Sequence, residues 1–320
     1  MVLWNFLRRH SLPVSPKNII FITGCDSGLG FNMALLCHSC NMTVISCCHN
    51  ADSKGAKYLQ GLQSSKRMYT LEVDLLKHDT LVEARGFLEK FLKENKDHKL
   101  LALVNNAGIM CFGEFEWQTR NLFEQQINVN LLGPMRLTKE LLPIIRSHKS
   151  RIINVTSHCG LQSLPGIAAY GASKAGLRFW NDALRIELAK FGVKVVNFIP
   201  GSFVMSSNIA SRQQDHANEM ETQFSKEQQH FYGDYFKEYN EYLKIISGPK
   251  PLQFVDEHGI LNTFKRALLD ENPKSIYINE PLRYKIYRIL FNICPTYIVD
   301  WLTIKFVSMP DYKYIKVLKK

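Results

Sequence analysis

The amino-terminal segment lacks a hydrophobic run long enough to cross a membrane. In residues 1–16 a short apolar stretch is interrupted by Arg8 and Arg9, well below the roughly 20 apolar residues that span a bilayer. The first predicted strand begins at about Asn18, which leaves little chain for a cleaved targeting peptide. We interpret residues 1–16 as an N-terminal extension, with an interfacial anchor as the one membrane role left open.

The sequence also lacks the features of a secreted, disulfide-bonded protein. Its 8 cysteines are spread over 320 residues without a secretory signal, which indicates reduced thiols in a cytosolic-facing protein. Cys37 and Cys40 precede Cys47, Cys48 and His49 with a spacing that superficially resembles a metal site. Because the first pair is predicted to end a helix and the second a buried strand, we expect no bound metal.

No nucleic-acid-binding motif accompanies the positive charge. The chain has 40 Lys and Arg against 29 Asp and Glu, a formal net charge of +11, which suits nucleic acid, a membrane surface or a phosphorylated cofactor. Much of the excess lies between Arg283 and Lys320, in a tail rich in aromatic and aliphatic residues. That composition favours peripheral membrane contact or packing, and it argues against nucleic acid.

Short apolar runs alternate with helical stretches through the first 200 residues. The runs are rich in β-branched residues, as buried strands are, and cover residues 19–23, 42–47, 68–73, 100–104, 151–156 and 193–199. Helices are predicted between them, at residues 30–40, 81–94, 123–147 and 168–191. This alternation predicts an α/β fold with a doubly wound parallel sheet of the Rossmann type.

The amino-acid composition of the chain changes after Pro200. Residues 206–250 are polar, aromatic and rich in Gln, Glu and His, which predicts helices of a mobile cover, and we assign residues 201–250 to it. A helix near residues 255–270 and a strand near residues 275–278 complete a main domain of residues 17–280. Residues 281–320 then form a basic amphipathic C-terminal extension.

A glycine-rich loop joins the first predicted strand to the following helix. It runs from Thr23 to Gly30 and contains Gly24 and Gly28. Glycines permit close approach of a ligand to the backbone, and a helix N-terminus supplies N–H donors, so the loop predicts a pyrophosphate site for a dinucleotide. An ordinary turn is the alternative.

Polar and small residues follow the third and fourth predicted strands. Asp74 ends the third strand, where it can accept hydrogen bonds from an adenine amino group or cap the next helix. Asn105, Asn106, Ala107 and Gly108 end the fourth strand. Ligands bind at this carboxyl edge of a doubly wound sheet, so we expect these residues beside the dinucleotide.

The spacing of three polar residues predicts proton chemistry. Ser157 lies at the end of a strand, and Tyr170 and Lys174 share one helical face because they are four residues apart. A lysine ammonium stabilises a phenolate and lowers the pKa of a tyrosine from about 10, while a serine hydroxyl can hold a substrate oxygen. A packing aromatic and a solvated lysine are the alternative interpretations.

Together these motifs resemble the classical short-chain dehydrogenase/reductase family over about residues 17–280. The matching segments are the Thr23 to Gly30 loop, Asp74, Asn105 to Gly108, Asn130 in Asn128-Val129-Asn130, Ser157, Tyr170-Gly171-Ala172-Ser173-Lys174 and Pro200-Gly201. The loop, Gly233-Asp234-Tyr235-Phe236 and Cys294-Pro295-Thr296 are similar to the branch with retinol dehydrogenases, 17β-hydroxysteroid dehydrogenase type 2 and 3-hydroxybutyrate dehydrogenase. Insect steroid-hormone pathway dehydrogenases are similar more loosely.

The resemblance implies a role for individual residues. Tyr170 would be the general acid/base, Lys174 its pKa-lowering partner and a ribose contact, Ser157 the ligand of the substrate oxygen, and Asn130 the holder of a proton-relay water. With Ser157 and Tyr170, His158 is expected at the substrate, unless it only fills space. The implied cofactor contacts are Thr23, Gly24, Asp26, Ser27, Gly28, Leu29, Gly30, Asp74, Asn106, Ala107, Gly108, Tyr170, Lys174, Pro200 and Gly201.

Some positions depart from the family pattern. The family often has Thr five residues after the proline of the Pro-Gly motif, where this chain has Met205 followed by Ser206. The second strand ends at His49 without the acid that usually binds the ribose of NAD, and Ser27 stands where NADP enzymes often carry a basic residue. The resembling branch favours NAD, so NAD is expected, with NADP as the alternative if His49 contacts a 2′-phosphate.

The favoured hypothesis is hydride transfer between a nicotinamide cofactor and an alcohol or ketone of a lipophilic substrate, such as a steroid, sterol or retinoid. Aromatic residues of the cover could enclose that substrate or form an ordinary helix stripe: Phe203, Phe224, Phe231, Tyr232, Tyr235, Phe236, Tyr239 and Tyr242. The alternatives are a dehydrogenase of a small hydroxy acid such as 3-hydroxybutyrate and a catalytically silent nucleotide-binding scaffold.

The resemblance also bears on partners and location. In the family, helices corresponding to residues 123–147 and 168–191 form dimer faces, so a homodimer is expected. The C-terminal extension is expected either to contact a bilayer or to close over the pocket. We expect the cytoplasm, or the cytosolic face of an intracellular membrane such as the endoplasmic reticulum, in preference to the mitochondrion.

Overall fold

A seven-stranded parallel sheet forms the centre of the computed structural model, which describes residues 10–201, 204, 207–254, 259–307 and 309–310. The strands are β1 (Asn18–Thr23), β2 (Thr43–Cys48), β3 (Met68–Glu72), β4 (Lys99–Asn105), β5 (Arg151–Val155), β6 (Lys194–Ile199) and β7 (Ile276–Ile278). Their order is β3-β2-β1-β4-β5-β6-β7. It reverses between β1 and β4, the kind of switch point at which such sheets bind ligands.

Helices cover both faces of the sheet, which confirms the predicted doubly wound Rossmann-type fold. They are α1 (Gly28–Ser39), α2 (Lys54–Gly61), α3 (His78–Glu94), α4 (Arg120–Ile127), α5 (Gly133–Ser147), α6 (Ala168–Ala189), α7 (Gln213–Thr222), α8 (Lys226–Leu243), α9 (Ile260–Leu269), α10 (Leu282–Ile293) and α11 (Thr296–Val307).

The central strand shows why the sheet needs two layers of helices. Ile20 and Ile22 of β1 belong to one hydrophobic cluster and Ile19 and Phe21 to another, because successive side chains of a strand point to opposite faces. All four are fully buried. Burial on both faces is why this strand reads as a continuous apolar run rather than an alternating one.

Two helical predictions differ from the structure. The helix predicted at residues 123–147 starts at Arg120 and is interrupted by a five-residue π-helical turn, Asn128–Leu132, before α5 begins. The helix predicted near residues 255–270 is α9, and residues 255–258 lie outside the described part of the chain. A π turn widens a helix locally and often occurs at functional sites.

The C-terminal helices α10 and α11 are joined by a short turn and packed through aromatic rings. The ring centres of Tyr287 and Phe306 are 4.8 Å apart, and the Arg283 guanidinium donates to the Phe306 carbonyl at 3.0 Å. In the described part of the chain, every helix is too short or too polar to span a bilayer.

Candidate active site

The loop between β1 and α1 turns sharply because two of its glycines adopt left-handed backbone conformations. Gly24 has a φ of 71° and Gly28 a φ of 58°, where residues with a Cβ are strained. At Gly30 a Cβ would lie 2.2 Å from the carbonyl oxygen of Gly24. Close packing of α1 on its own loop therefore requires glycine at that position.

The start of α1 offers backbone donors to a ligand. The first N–H groups of a helix have no intrahelical acceptor, and no side-chain capping hydrogen bond from Ser27 is recorded among the described residues. Such a terminus binds phosphate groups well. Since this loop also lines the main cavity, it fits the pyrophosphate of a dinucleotide.

Two of the implied cofactor residues shape the loop from within. The Thr23 hydroxyl accepts hydrogen bonds from the backbone N–H groups of Asn106 and Ala107, at 3.0 and 3.1 Å. In return the Asn106 amide donates to the carbonyls of Thr23 and Gly24, at 2.9 and 3.2 Å. The end of β4 is thereby held against the glycine loop, a structural role that sequence reasoning did not assign.

Asp26 also uses its side chain inside the protein. Its carboxylate accepts hydrogen bonds from the backbone N–H groups of His49, at 2.9 Å, and Asn50, at 3.0 Å. These residues follow β2, where the ribose of a dinucleotide would lie. Asp26 therefore brings a negative charge to the end of a strand that has no acid of its own.

Asp74 lies at the end of the cavity and does not cap the following helix. Its carboxylate accepts the backbone N–H of Leu76 at 2.9 Å, while the N-cap position of α3 is held by Lys77. The exposed imidazole of His49 approaches Asp74 to 3.9 Å. The helix-cap interpretation of Asp74 is therefore wrong, and the adenine contact stays a prediction.

Ser157, Tyr170 and Lys174 meet at the carboxyl end of β5, as their spacing predicts. The Ser157 hydroxyl lies near enough to the Tyr170 phenol to affect its pKa and accepts the backbone N–H of Cys159 at 3.1 Å. The Lys174 ammonium donates to the Val155 carbonyl at 3.0 Å. It lies 5.9 Å from the centre of the Tyr170 ring, and all three residues line the cavity.

Burial determines the protonation of this group. Burial raises the pKa of Tyr170 above its usual value of about 10, the neighbouring Cys159 thiol adds to the effect, and the Ser157 hydroxyl opposes it. Burial also lowers the pKa of Lys174 to about 8. Desolvation of the phenolate therefore dominates the pKa of Tyr170 in this structure, and the lowering of that pKa by Lys174 stays a prediction.

Asn130 lies in the π turn, fully buried behind the cavity wall. Its side-chain oxygen accepts the Ile109 N–H at 2.8 Å. Its amide donates to the Ile109 carbonyl at 2.8 Å and to the Ser173 hydroxyl at 3.1 Å. Both N–H groups of the Asn130 amide already donate hydrogen bonds. A proton-relay water at this position would therefore have to bind an oxygen atom and not the N–H groups of Asn130.

One cavity of about 840 Å³ contains every implied cofactor contact, from Thr23 to Gly201, together with Ser157 and His158. Its other end is apolar. The lining there comes from Met110, Phe112, Leu161, Leu164, Ile167, Val204 and Ile209, and from Tyr284, Tyr287, Phe291 and Phe306 of the C-terminal helices. Cavities of this size and lining are typical of small-molecule sites.

The part that α10 and α11 take in this wall is one of the two roles that the sequence left open for the C-terminal extension. The available signal was the spacing of Tyr284, Tyr287 and Phe291, which places three aromatic rings on one helical face. Of the two roles left open for the C-terminal extension, lining the pocket is therefore observed for the described residues.

The described aromatic residues of the cover do not line the cavity. Tyr232, Tyr235, Phe236 and Tyr239 instead surround Trp117, with ring centres 5.8, 5.3, 5.3 and 5.1 Å away. Phe224, Phe231 and Tyr242 are likewise absent from the described lining. Phe203 lies outside the described residues, as do Met205 and Ser206. The helix-stripe interpretation is correct for Phe224, Tyr232, Tyr235, Phe236 and Tyr239, because they form or pack against a separate small core. Phe231 and Tyr242 are exposed.

Three arginines also reach the cavity, where sequence reasoning placed none. Arg178, Arg212 and Arg288 are among its lining residues. The Arg288 guanidinium is paired with Glu280 at 2.7 Å, and the exposed Arg212 lies 3.7 Å from Asp215. The signal was present for Arg178 alone, which lies one helical turn after Lys174.

Comparison with known proteins agrees with this geometry. The family model described as short chain dehydrogenase matches residues 18–217. Retinol dehydrogenase 7 of Rattus norvegicus is 32% identical over 304 residues, covering 93% of this chain and 92% of its own. Estradiol 17-beta-dehydrogenase 2 of Mus musculus is 31% identical over 314 residues, covering 96% and 79%. A short-chain dehydrogenase structure from Streptomyces avermitilis aligns with a TM-score of 0.52 and 29% identity, over 58% and 66% of the two chains.

The matched residues extend from β1 through α7 and include the glycine loop, Asn130, Ser157, Tyr170 and Lys174. A protein of this kind binds a nicotinamide dinucleotide and a small molecule and interconverts an alcohol and a carbonyl compound. The chain belongs to the short-chain dehydrogenase/reductase family, in the branch that includes retinol dehydrogenases, and is an NAD(P)-dependent oxidoreductase.

Proposed function

We propose that the protein oxidises a lipophilic primary or secondary alcohol, or reduces the corresponding carbonyl compound, with Tyr170 as general acid/base. The substrate is a steroid, sterol or retinoid. One observation supports the proposal: the same cavity is lined by the glycine loop, by Ser157 and Tyr170, and by aromatic rings of α10 and α11. The names of the retinol and estradiol dehydrogenase relatives support the same substrate class.

The hydroxyl groups of Ser157 and Tyr170 would bind the substrate oxygen. In the reducing direction, a hydride adds to the carbonyl carbon and the Tyr170 phenol gives its proton to the oxygen, so that C=O becomes CH–OH. In the oxidising direction, the phenolate takes the hydroxyl proton as the hydride leaves. The bound nicotinamide cofactor supplies or accepts that hydride.

Reduction of a ketone needs Tyr170 as a phenol, whereas oxidation of an alcohol needs it as a phenolate. Tyr170 is a neutral phenol at neutral pH because its pKa lies above 10, which suits proton donation to a ketone. With a pKa of about 8, Lys174 is mostly protonated at neutral pH. Its ammonium would stabilise the phenolate that forms when the proton leaves.

The cofactor in this proposal is NAD. The start of α1 would hold the pyrophosphate and Asp74 the adenine, with Asn106, Ala107 and Gly108 beside the ribose and nicotinamide. The described lining residues at the ribose end, Asp26, Ser27, His49 and Asp74, include neither Lys nor Arg. A 2′-phosphate would meet two carboxylates there, which favours NAD over NADP.

The test is a comparison of the parent protein with Tyr170→Phe on estradiol, retinol and 3-hydroxybutyrate with each cofactor. We expect turnover of a lipophilic alcohol with NAD and a loss of about 10³-fold in kcat for the variant, in line with the contribution of general acid/base groups. Binding of NAD should be unchanged. If the parent turns over none of these alcohols and the variant alters only binding, the silent-scaffold hypothesis is correct.

A small hydroxy acid is the second candidate substrate. Arg178, Arg212 and Arg288 favour it, because a carboxylate would find guanidinium partners in the cavity. The ion pair of Arg288 with Glu280 weakens that case, since its charge is already balanced. A higher kcat/KM for 3-hydroxybutyrate than for estradiol and retinol would favour this candidate.

We also propose that the protein is a homodimer through α6. Phe179 is 72% exposed and Ile186 is 69% exposed on this helix, and large apolar side chains grouped on a surface often mark an interface. Sedimentation of Phe179→Asp as a monomer, beside a dimeric parent, would support the proposal. A monomeric parent would refute it.

Peripheral contact with the cytosolic face of an intracellular membrane, such as the endoplasmic reticulum, completes the proposal. The outer faces of α10 and α11 expose Leu282, Ile286, Ile289, Ile293, Tyr297, Trp301 and Ile304, and the sequence around them is basic. Apolar faces flanked by positive charge bind anionic bilayers. Flotation of the parent with anionic liposomes, lost in Trp301→Ser, is expected, and failure of the parent to float would reject the contact.

A further inference from the structure

Three titratable side chains from distant parts of the chain meet beside the cavity. His158 directly follows Ser157, Glu280 follows β7, and Arg288 lies on α10. The His158 Nε2 atom is 3.0 Å from Glu280 Oε2. Arg288 donates to the same carboxylate through Nη2, at 2.7 Å from Oε1, and through Nε, at 3.1 Å from Oε2. We name this group the His158–Glu280–Arg288 cluster.

The cluster is sheltered from water and well matched in charge. The side chains of Glu280, His158 and Arg288 are 10%, 15% and 30% exposed. Burial alone would raise the pKa of Glu280, but hydrogen bonds from Arg288 and His158 hold it below the usual range. Burial lowers the pKa of His158, so its neutral ring donates Nε2–H to the carboxylate. A two-point bond between arginine and carboxylate fixes orientation as well as distance.

The helix that Arg288 belongs to has few other anchors. No residue of α10 is buried, and among the described residues of α11 only Thr303 is. A helix that buries so little apolar surface gains little from the hydrophobic effect. The recorded contacts between α10 and the turn after Ser157 are the cluster and the edge-on packing of Tyr284 against the His158 ring, with centres 5.2 Å apart.

This connection joins the proton-transfer group to the wall opposite it. α10 lines the cavity with Tyr284, Tyr287 and Phe291, while Ser157 is the residue before His158. Movement of α10 away from His158 would widen the cavity at the end where the substrate's apolar part would lie. The substitution that removes one partner also leaves a sheltered charge unpaired, which is more costly than the loss of an exposed ion pair.

We propose that His158, Glu280 and Arg288 are positioning residues that set the width of the substrate site by holding α10 against the turn that carries Ser157. The inference deepens the proposed function and rests on it, since it assigns the selection of bulky substrates to this cluster. None of the three needs to contact the reacting atoms.

The experiment compares Arg288→Met and Glu280→Gln with the parent on a bulky and a small alcohol, estradiol and isopropanol. Arg288→Met keeps the aliphatic stem and removes the charge. We expect KM for estradiol to rise about tenfold, while kcat changes less than about threefold and KM for isopropanol and for NAD stays constant. Arg288→Lys, which restores one charged donor, should recover part of the loss.

Arg120→Met is the matched control, because Arg120 forms a 2.6 Å ion pair with Glu124 on the exposed surface of α4. It should leave every constant unchanged. A fall in kcat with unchanged KM for estradiol, or equal effects on both alcohols, would overturn the inference. So would an Arg288→Lys variant no better than Arg288→Met.

Hydrogen exchange separates this inference from the proposed function. In the cluster variants, amides of α10 and of residues 157–160 should exchange faster together, whatever substrate the protein accepts, and Arg120→Met should show no change there. If the parent rejects lipophilic alcohols but the two segments still loosen together, the proposed substrate class fails and the mechanical link stands. If exchange in residues 157–160 is unchanged, the link itself is wrong.

Discussion

The two ends of the cavity are built in different ways. At the cofactor end, backbone packs on backbone. A Cβ on Gly30 would overlap the carbonyl oxygen of Gly24, and the Asn106 side chain binds the main chain of the same loop. At the substrate end, side chains meet across long distances in sequence, as His158 and Glu280 do over 122 residues. Backbone contacts leave no room for substitution, whereas a wall of side chains can be altered one residue at a time.

Gly30→Ala should have the largest effect on this comparison. The added Cβ would lie 2.2 Å from the Gly24 oxygen and 2.4 Å from the Asn106 amide nitrogen, so the loop must move. We expect the Kd for NAD to rise about 100-fold, or roughly 3 kcal/mol, measured by calorimetric titration of protein that circular dichroism shows to be folded.

The matched control is Gly86→Ala, where nothing lies within 4 Å of the added Cβ. That helical substitution should leave cofactor binding intact and slightly stabilise the protein. Equal Kd values for the two variants would mean that the loop is not the tight backbone contact described above.

The pH dependence of alcohol oxidation and ketone reduction tests the protonation state of Tyr170, which lies where the two ends of the cavity meet. Below its raised pKa, Tyr170 is a phenol, and the phenolate needed for oxidation grows about tenfold for each pH unit. Between about pH 6 and 8, kcat/KM for alcohol oxidation should rise at close to that rate, while ketone reduction, which needs the phenol, stays flat. Lys174, with a pKa of about 8, is mostly charged up to about pH 7 and loses about half of its charge by pH 8, where the rise should flatten.

Steady-state rates in both directions at constant ionic strength measure these slopes. Tyr170→Phe serves as the control, and its residual rates should show neither slope. A pH profile that is the same for oxidation and reduction would contradict the assignment of a neutral phenol.

Phe291→Ala should act only at the substrate end. The ring lies in the cavity wall, and its removal leaves space beside a bulky substrate, so KM for estradiol should rise about fivefold, or about 1 kcal/mol. KM for NAD should not change. Phe231→Ala on α8 is the control, since Phe231 is exposed and does not belong to the described lining. A larger rise in KM for estradiol in Phe231→Ala than in Phe291→Ala would support the hypothesis that aromatic residues of the cover enclose the substrate.

Asp26→Asn should have the smallest effect. The asparagine keeps one acceptor for the backbone N–H groups of His49 and Asn50 but loses the negative charge. We expect KM for NAD to rise about twofold and KM for NADP to fall by a similar factor, because a 2′-phosphate is then repelled less. Asp52 carries an exposed carboxylate on the segment after β2 that also contains His49 and Asn50, so Asp52→Asn is the control. Initial rates with each cofactor are the measurement. An unchanged ratio of the two KM values would show that Asp26 takes no part in cofactor choice.

Local patterns predicted the cofactor end well. The apolar runs mark the six strands from β1 to β6 within one or two residues, because strands buried on both faces have a continuous signal. The four-residue spacing of Tyr170 and Lys174 is a property of any helix, so their shared face followed directly. The burial that raises the pKa of Tyr170 depends on the whole surrounding fold, and no local pattern contains it.

The substrate end was much harder to predict. Aromatic residues at helical spacing occur both in α8 and in α10, and the pattern is the same whether a face packs on Trp117 or lines a cavity. Which helix reaches the cavity depends on tertiary contacts such as the pair of Glu280 and Arg288. The interruption of the helix at Asn128–Leu132 did have a local signal, because Gly133 and Pro134 follow directly and a proline cannot donate to the carbonyl four residues earlier.

The position of α10 in the chain has an evolutionary consequence. The helix follows the last strand, so Tyr287 and Phe291 can change without disturbing any segment that holds the cofactor or the proton-transfer group. After a gene duplication, one copy could accumulate substitutions in this short stretch and accept a new alcohol as substrate. Its cofactor site and proton-transfer group would stay unchanged. Glu280, Arg288 and Tyr284 are exceptions, because a change in any of them would alter the tail and the turn after Ser157 together.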